Sequence, residues 1–214
     1  MIFDTTWMDN RLGKFTASEI GKLLTSSKKK DEIFGSTAIS YIHKKFHERI
    51  SGEQKELGAL PSLEWGKSLE NEAILHYEMM TGRKVQSFGG ENPQFFEFNE
   101  YSGGSPDGFA DNDILIEIKC PYNGETFVDY MQFKVPADLY SYNKEYYTQL
   151  QFNMICCNKD VAHWVAYDPR IKNPNKRMVI LEVEKDDAFC DELLNRLSLA
   201  IDYLKTLEND FNNM

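Results

Sequence analysis

The chain has 214 residues, 42% of them hydrophobic and 27% charged, and 34 acidic against 24 basic side chains leave a net charge of −10. That length suits one domain with a large core, and the acidity argues against a generally basic nucleic-acid-binding protein, though not against a local basic groove. No apolar run approaches the ~20 residues of a membrane span, the N-terminus shows no secretory pattern, and Cys120, Cys156, Cys157 and Cys190 form no Cys-x-x-Cys pair, so a disulfide framework or zinc knuckle is not expected.

Thr16-Ala17-Ser18-Glu19 reads as a capping box opening a short helix through Leu24. From Ser36 to Ile50, Ile39, Ile42, Phe46 and Ile50 recur at helical spacing, with Gly52 as a stop. Leu63 to Thr81 is a further predicted helix, ended by Gly82. Short strands are expected near Lys84–Phe88 and Gln94–Phe98, and the run Ser102 to Gly108 reads as a turn. Ile114–Lys119 alternates, with Ile114, Ile116 and Ile118 on one face and Leu115, Glu117 and Lys119 on the other. Helices follow over Thr126–Phe133 and Lys144–Cys156, then strands over Val161–Tyr167 and Met178–Val183. Asp186 to Phe211 forms a long amphipathic helix through Phe189, Leu193, Leu197, Ile201, Leu204 and Leu207. The natural assembly is α/β (α+β): a mixed central sheet flanked by helices.

Charge is unevenly spread. Residues 1–60 hold 10 Lys/Arg and 8 Asp/Glu, whereas residues 182–210 hold nine acids and three bases. The clusters Lys28-Lys29-Lys30, Lys44-Lys45 and Arg49 make the N-terminal third the expected polyanion surface.

The informative segment is Ser105-Pro106-Asp107-Gly108, followed eight residues later by Glu117-Ile118-Lys119-Cys120-Pro121. A hairpin over Asp111-Asn112-Asp113 folds Asp107 back towards Glu117, and Glu117 and Lys119 share a face. Two hard oxygen ligands without His or Cys suit Mg²⁺ or Mn²⁺ rather than zinc. A lysine beside them can hold or deprotonate an attacking water, its pKa lowered by burial and the cation. This is a toolkit for metal-assisted phosphodiester hydrolysis. Glu70 shares a helix face with Ala73, Ile74 and Tyr77, where a lone acid is costly unless paired or metal-bound. Gln149 lies at the edge of the stripe Tyr147, Leu150 and Met154. His43, His47, His76 and His163 read as structural or surface residues.

Arg11-Leu12-Gly13, Thr16-Ala17-Ser18-Glu19, Trp65-Gly66-Lys67-x-x-Glu70-Asn71, the two segments above, Gln149-Leu150-Gln151 and Tyr167-Asp168-Pro169-Arg170 run in this order. Together they closely resemble the phage lambda exonuclease, or YqaJ-type viral recombinase, family of PD-(D/E)xK nucleases. The resemblance implies a restriction-endonuclease-like core and a Mg²⁺-dependent 5′→3′ exonuclease, with Mn²⁺ an alternative and two ions per site. It implies digestion of one strand of linear double-stranded DNA from a 5′-phosphorylated end, leaving a 3′ overhang for recombination by strand annealing. A ring-shaped homotrimer, a single-strand annealing partner, no membrane association and a cytoplasmic phage or prophage setting also follow from it.

Carried over residue by residue, Asp107, Glu117, Glu70 and the Ile118 backbone carbonyl resemble the metal ligands. Lys119 handles the water and Gln149 orients near it. Arg11, Ser18 and Ser105 match the 5′-phosphate pocket, Ser18 near a helix N-terminus, and Leu63 matches a strand-separating wedge. One departure is Glu125, which stands where the family supplies another phosphate-binding arginine. The implied layout is a single nuclease domain over 1–214: a helical part over 1–60, a catalytic core over 61–185 and a C-terminal helix over 186–214. The competing readings are a structure-selective endonuclease on the same fold and a non-catalytic DNA-end-binding protein. A Cas4-like iron–sulfur nuclease is disfavoured because four spaced cysteine ligands are missing.

Overall fold

The computed structural model describes residues 9–29, 31–54, 60–89 and 93–214. Strand β1 (Phe15–Thr16) and a 3-10 turn (Ile20–Leu24) precede helices α1 (Ser36–Ser51) and α2 (Pro61–Thr81). Strands β2 (Val85–Ser87), β3 (Phe96–Asn99), β4 (Ser102–Gly104), β5 (Gly108–Ala110) and β6 (Ile114–Lys119) follow. Helices α3 (Gly124–Tyr130), α4 (Pro136–Tyr142) and α5 (Lys144–Cys157) lead to β7 (Val161–Tyr167), β8 (Met178–Glu184) and α6 (Asp187–Asn212).

The main sheet has the order β2-β5-β6-β7-β8, and a smaller one has the order β1-β4-β3. β5 and β6 form the expected hairpin, turned at Asp111 and Asn112 with φ of 51° and 68°, a region that short polar side chains tolerate. β6 and β7 pair in parallel, so their connection needs a long crossover. Helices α3, α4 and α5 supply it and cover one sheet face, meeting Leu115, Ala162 and Trp164. The other face carries Ile116, Ile118, Val165 and Tyr167 against Ala73, Ile74 and Tyr77 of α2. β6 is therefore buried on both sides, which makes Glu117 a costly residue there unless its oxygens are satisfied.

A third cluster joins the two ends of the chain. Phe15, Leu23 and Ile42 pack on Leu193, Leu197 and Leu204 of α6. Asp186 caps α6 by accepting from Phe189 N at 3.0 Å, and Gly52 and Gly82, with φ of 71° and 72°, end α1 and α2 in the left-handed conformation. No described helix is long and apolar enough to cross a membrane.

Several local expectations are corrected. Thr16 closes β1 rather than capping a helix: its N–H donates to the Tyr41 hydroxyl at 3.0 Å. Glu19 instead binds Lys22 and Lys44, so no capping box forms. The buried face of α1 is Ala38, Tyr41, Ile42, Lys45 and Glu48, while Ile50 is exposed. Lys45 and Glu48 tolerate burial because they pair at 2.9 Å and Glu48 also accepts Gly13 N at 3.0 Å. Ser102–Gly104 is a buried strand, not turn, because β1 and β3 flank it. The helix expected over Thr126–Phe133 spans Gly124–Tyr130, and Pro136 at the first position of α4 starts a helix the periodicity did not announce. Of the histidines, His163 is buried between Tyr77 and Glu182, and His43 meets Tyr203 at the surface.

Candidate active site

The hairpin is unequal. β5 begins at Gly108 opposite Ile116, whereas β6 continues to Lys119. The residue before β5, Asp107, fills the vacated edge: its N–H donates to Ile116 O at 3.0 Å, and its Oδ2 accepts Ile118 N–H at 2.5 Å. In a strand, a residue's N–H and C=O share an edge, so the Ile118 carbonyl lies on the Asp107 side.

Glu117 projects to the face covered by α5, and its Oε1 accepts from Gln149 Nε2 and Lys119 Nζ, each at 2.6 Å. Its Oε2 accepts from Asn153 Nδ2 at 3.1 Å. Lys119 Nζ also reaches Gln149 Oε1 at 3.3 Å and lies 4.9 Å from the Tyr146 ring centroid. Glu70 arrives from α2 beneath the opposite face, and its Oε1 is buried without a hydrogen-bond partner among the described residues. Gly89 leaves the space for it, since a Cβ there would stand 1.5 Å from that oxygen.

The electrostatics follow from this crowding. Burial raises the Asp107 carboxyl well above its ordinary range, and the charges of Glu117 and Glu70 add to the effect. Burial and Glu117 likewise raise Glu70. Burial pulls the Lys119 pKa down, but Glu117 and Asp107 outweigh that and raise it. Lowering that pKa therefore requires a cation to offset the two carboxylates. Cys120 is no nucleophile here, because burial, with Asp107 and Glu70 nearby, pushes its thiol up to about 12.

Among the described residues no three His, Cys, Asp or Glu side chains stand in a ready-made metal cage. The donor chemistry nonetheless fits a hard divalent ion. The donors are all oxygen, Glu70 Oε1 has no hydrogen-bond partner among the described residues, and burial together with mutual repulsion raises two carboxyls that a cation would hold ionised.

A second group forms around Arg11, whose Nη1 donates to Ser105 Oγ at 3.2 Å. Ser18 is exposed and meets Thr16 Oγ1 at 3.4 Å instead. The turn after it spans only Ile20–Leu24, too short for the helix macrodipole expected to attract a phosphate. Leu63 is 45% exposed in the first turn of α2.

Glu125 is exposed at the start of α3, its N–H held by Asn123 Oδ1 at 3.1 Å. Arg170 approaches the same segment, but its guanidinium is committed to the Asp168 carboxylate and the Pro121 and Tyr122 carbonyls. It also stacks 4.9 Å from the Trp65 ring centroid. The Tyr167-Asp168-Pro169-Arg170 motif thus clamps the loop after β6.

The basic surface is more neutral than its composition implies. Lys44 pairs with Glu19, Lys45 with Glu48, Arg49 with Glu208 and Glu100, and Lys29 with Glu32. Asn153 belongs to no motif in the sequence, although it stands four residues after Gln149 and therefore on the same helix face.

Residues 6–160 match the YqaJ-like viral recombinase domain. Among curated proteins, none matches the chain in sequence. The fold superposes on the alkaline exonuclease LHK-Exo from Laribacter hongkongensis with a TM-score of 0.80 and 25% identity, covering 98% of this chain and 96% of that one. The same protein in complex with dAMP matches equally well. A phage-related exonuclease from Haemophilus somnus 129PT shares the fold at a TM-score of 0.74 and 18% identity, over 92% of this chain and 96% of that one. The fold is thus a mixed α/β sheet with flanking helices, and the chain belongs to the family of YqaJ-like viral recombinase domains.

Proposed function

We propose that the chain is a Mg²⁺-dependent 5′→3′ exonuclease that degrades one strand of linear duplex DNA. Family membership and the shared exonuclease fold support a nuclease. The observation that carries the reading is the meeting of Asp107, Glu117 and Lys119 at one end of β6, with Gln149 bonded to the last two and Glu70 coupled electrostatically to the carboxylates.

Asp107, Glu117, Glu70 and the Ile118 carbonyl would hold one or two Mg²⁺ or Mn²⁺ ions. Bound there, the metal supplies Lewis-acid polarisation of the scissile phosphate and a more acidic water. Gln149 fixes Glu117 Oε1 and steadies Lys119 Nζ through the opposite end of its amide. Lys119 Nζ, held beside Glu117 and Gln149, would hold the attacking water or take its proton once a cation offsets the two carboxylates. Arg11 and Ser105 offer adjacent donors to a terminal phosphate, and Leu63 stands exposed to press on the end base pair.

A homotrimeric ring, a single-strand annealing partner and a cytoplasmic phage setting complete the proposal. The net charge of −10 suits enclosure: an acidic exterior disfavours non-specific adhesion to DNA and leaves threading as the productive route.

The test is digestion of 5′-phosphorylated linear duplex beside covalently closed circular DNA, each with Mg²⁺ or with EDTA. Nucleotide release from the linear substrate alone, abolished by EDTA, is the expected result. Cutting of the closed circle would favour a structure-selective endonuclease, and binding without release a DNA-end-binding protein.

A further inference from the structure

We propose that Asn153 is a positioning residue that sets the Glu117 carboxylate for metal ligation, in the space that Gly104 leaves on the strand leading into Ser105. This rests on the reading of Glu117 as a metal ligand. Asn153 is fully buried on α5, four residues beyond Gln149. The two amides divide the work. Gln149 holds Glu117 Oε1 at 2.6 Å, while among the described residues Asn153 alone engages Oε2, at 3.1 Å. With both oxygens held from one helix, the carboxylate plane cannot rotate freely about its last torsion.

The orientation of the Asn153 amide is dictated by chemistry. An ionised carboxylate only accepts, so the NH₂ end must face Glu117 and Oδ1 must point away. That oxygen is buried and has no hydrogen-bond partner among the described residues. An unpaired buried acceptor costs stability, and an apolar side chain of similar size would avoid the cost. Asn153 therefore contributes through what its NH₂ does to Glu117.

Its other end abuts the strand that leads into the Arg11–Ser105 pair. A Cβ added to Gly104 would lie 2.1 Å from Asn153 Oδ1 and 3.3 Å from Ala17 Cβ. Gly104 is outside the positive-φ region, so alanine suits its backbone and the obstacle is Asn153 itself. The amide is enclosed and cannot yield to a methyl group without leaving Glu117. Gly104 immediately precedes Ser105, which bonds Arg11. One small glycine thus lets a single amide span the carboxylate and the strand that leads into that pair.

Partners of this kind, beyond the ligands themselves, typically change metal affinity by 10- to 100-fold. The experiment is calorimetric titration of the full chain with Mn²⁺ alone, for the wild type, Asn153→Ala, Gly104→Ala and the double variant, with a thermal melt of each. The wild type should bind Mn²⁺, each single variant should bind it about tenfold more weakly, and the double variant no more weakly than Asn153→Ala. That non-additivity is the signature, because Asn153→Ala removes the atom that an alanine at 104 would displace.

Unchanged Mn²⁺ affinity in Asn153→Ala overturns the inference, and so does an additive loss in the double variant. If Asn153→Ala does not fold cooperatively, Gly104→Ala decides: weakened Mn²⁺ binding supports the inference and unchanged binding overturns it. A wild type that binds no Mn²⁺ overturns the metal reading and the inference with it, an outcome distinct from loss in the variants alone.

Discussion

Lys119 Nζ lies 2.6 Å from Glu117 Oε1, the two side chains standing on the same face of β6. The pair is the only meeting of an ammonium with the carboxylates at this end of the sheet among the described ion pairs. Removing the ammonium leaves Asp107, Glu117 and Glu70 in place, together with the Arg11–Ser105 pair. Lys119→Ala should lower kcat by about 10³-fold, within the range for a positioned proton-handling group, and leave the affinity for duplex ends within a few-fold. Single-turnover digestion beside equilibrium binding to an end-labelled duplex checks both. A proportionate loss of binding would move Lys119 from chemistry to substrate capture.

Arg11 donates to Ser105 Oγ at 3.2 Å, and its own burial lowers its pKa while Tyr41, Glu19 and Glu48 counter that effect. A partly desolvated guanidinium gains more from a phosphate than an exposed one does. Arg11→Ala should slow digestion of 5′-phosphorylated ends by about thirtyfold, equivalent to about 2 kcal/mol for a lost charge-assisted bond, and leave 5′-hydroxyl ends almost unaffected. Glu125→Arg should act in the opposite sense and widen the preference for the phosphorylated end. Equal effects on both substrates would place these residues outside the phosphate pocket.

The legible parts of the molecule were those written in local periodicity. Helix α2, with Ala73, Ile74 and Tyr77 inward and Gly82 at its end, follows from sequence alone, as do β7 and the capped helix α6. Asp107, Glu117 and Lys119 were findable because a hairpin is a short-range object. What failed was non-local. Ser102–Gly104 looks like a turn until β1, some 87 residues earlier in the chain by the Phe15–Ser102 register, pairs with it. Lys45 and Glu48 look solvated until Gly13 folds onto them. The supposed basic surface fades because its acidic partners, Glu19, Glu48, Glu100 and Glu208, come from several separate segments. Asn153 was hidden among apolar neighbours, its only signal a four-residue interval from Gln149.

Asp168 is 2% exposed and accepts Arg170 Nε at 2.8 Å and Nη2 at 2.7 Å. Burial alone would raise its carboxyl, but the bonds from Arg170 outweigh that and the pKa is lowered. A folded-state pKa below the unfolded value stabilises the fold above the unfolded value, and that stability is lost as pH falls through the folded one. Asp168→Asn should therefore cost about 2 kcal/mol at neutral pH, the Arg170 side being partly solvated. The difference from wild type should shrink as pH drops below the ordinary Asp value of 3.8. Urea denaturation across that range measures it. A difference independent of pH would assign the loss to packing of the 121–124 loop rather than to the ion pair.

Gly89 separates catalytic from structural cost. A Cβ at this position would lie 1.5 Å from Glu70 Oε1 and 2.5 Å from its Cδ. The backbone there is not in the positive-φ region, so alanine brings no conformational strain and even reduces the entropy of the unfolded chain. The atom displaced is the end of a flexible side chain, which yields at small energetic cost by turning away. Gly89→Ala should thus leave the melting temperature within about 2 °C of wild type, since the oxygen that yields makes no hydrogen bond among the described residues and its displacement costs no more than about 0.5 kcal/mol. Moving the Glu70 carboxylate, however, withdraws one hard oxygen from the end of β6. The Mg²⁺ concentration for half-maximal digestion should rise by about tenfold, with little change in maximal rate once the metal is saturating. Glu70→Gln should raise the same concentration at least as much. If Gly89→Ala shifts the melt while leaving the Mg²⁺ dependence untouched, Glu70 contributes to packing and not to the ion.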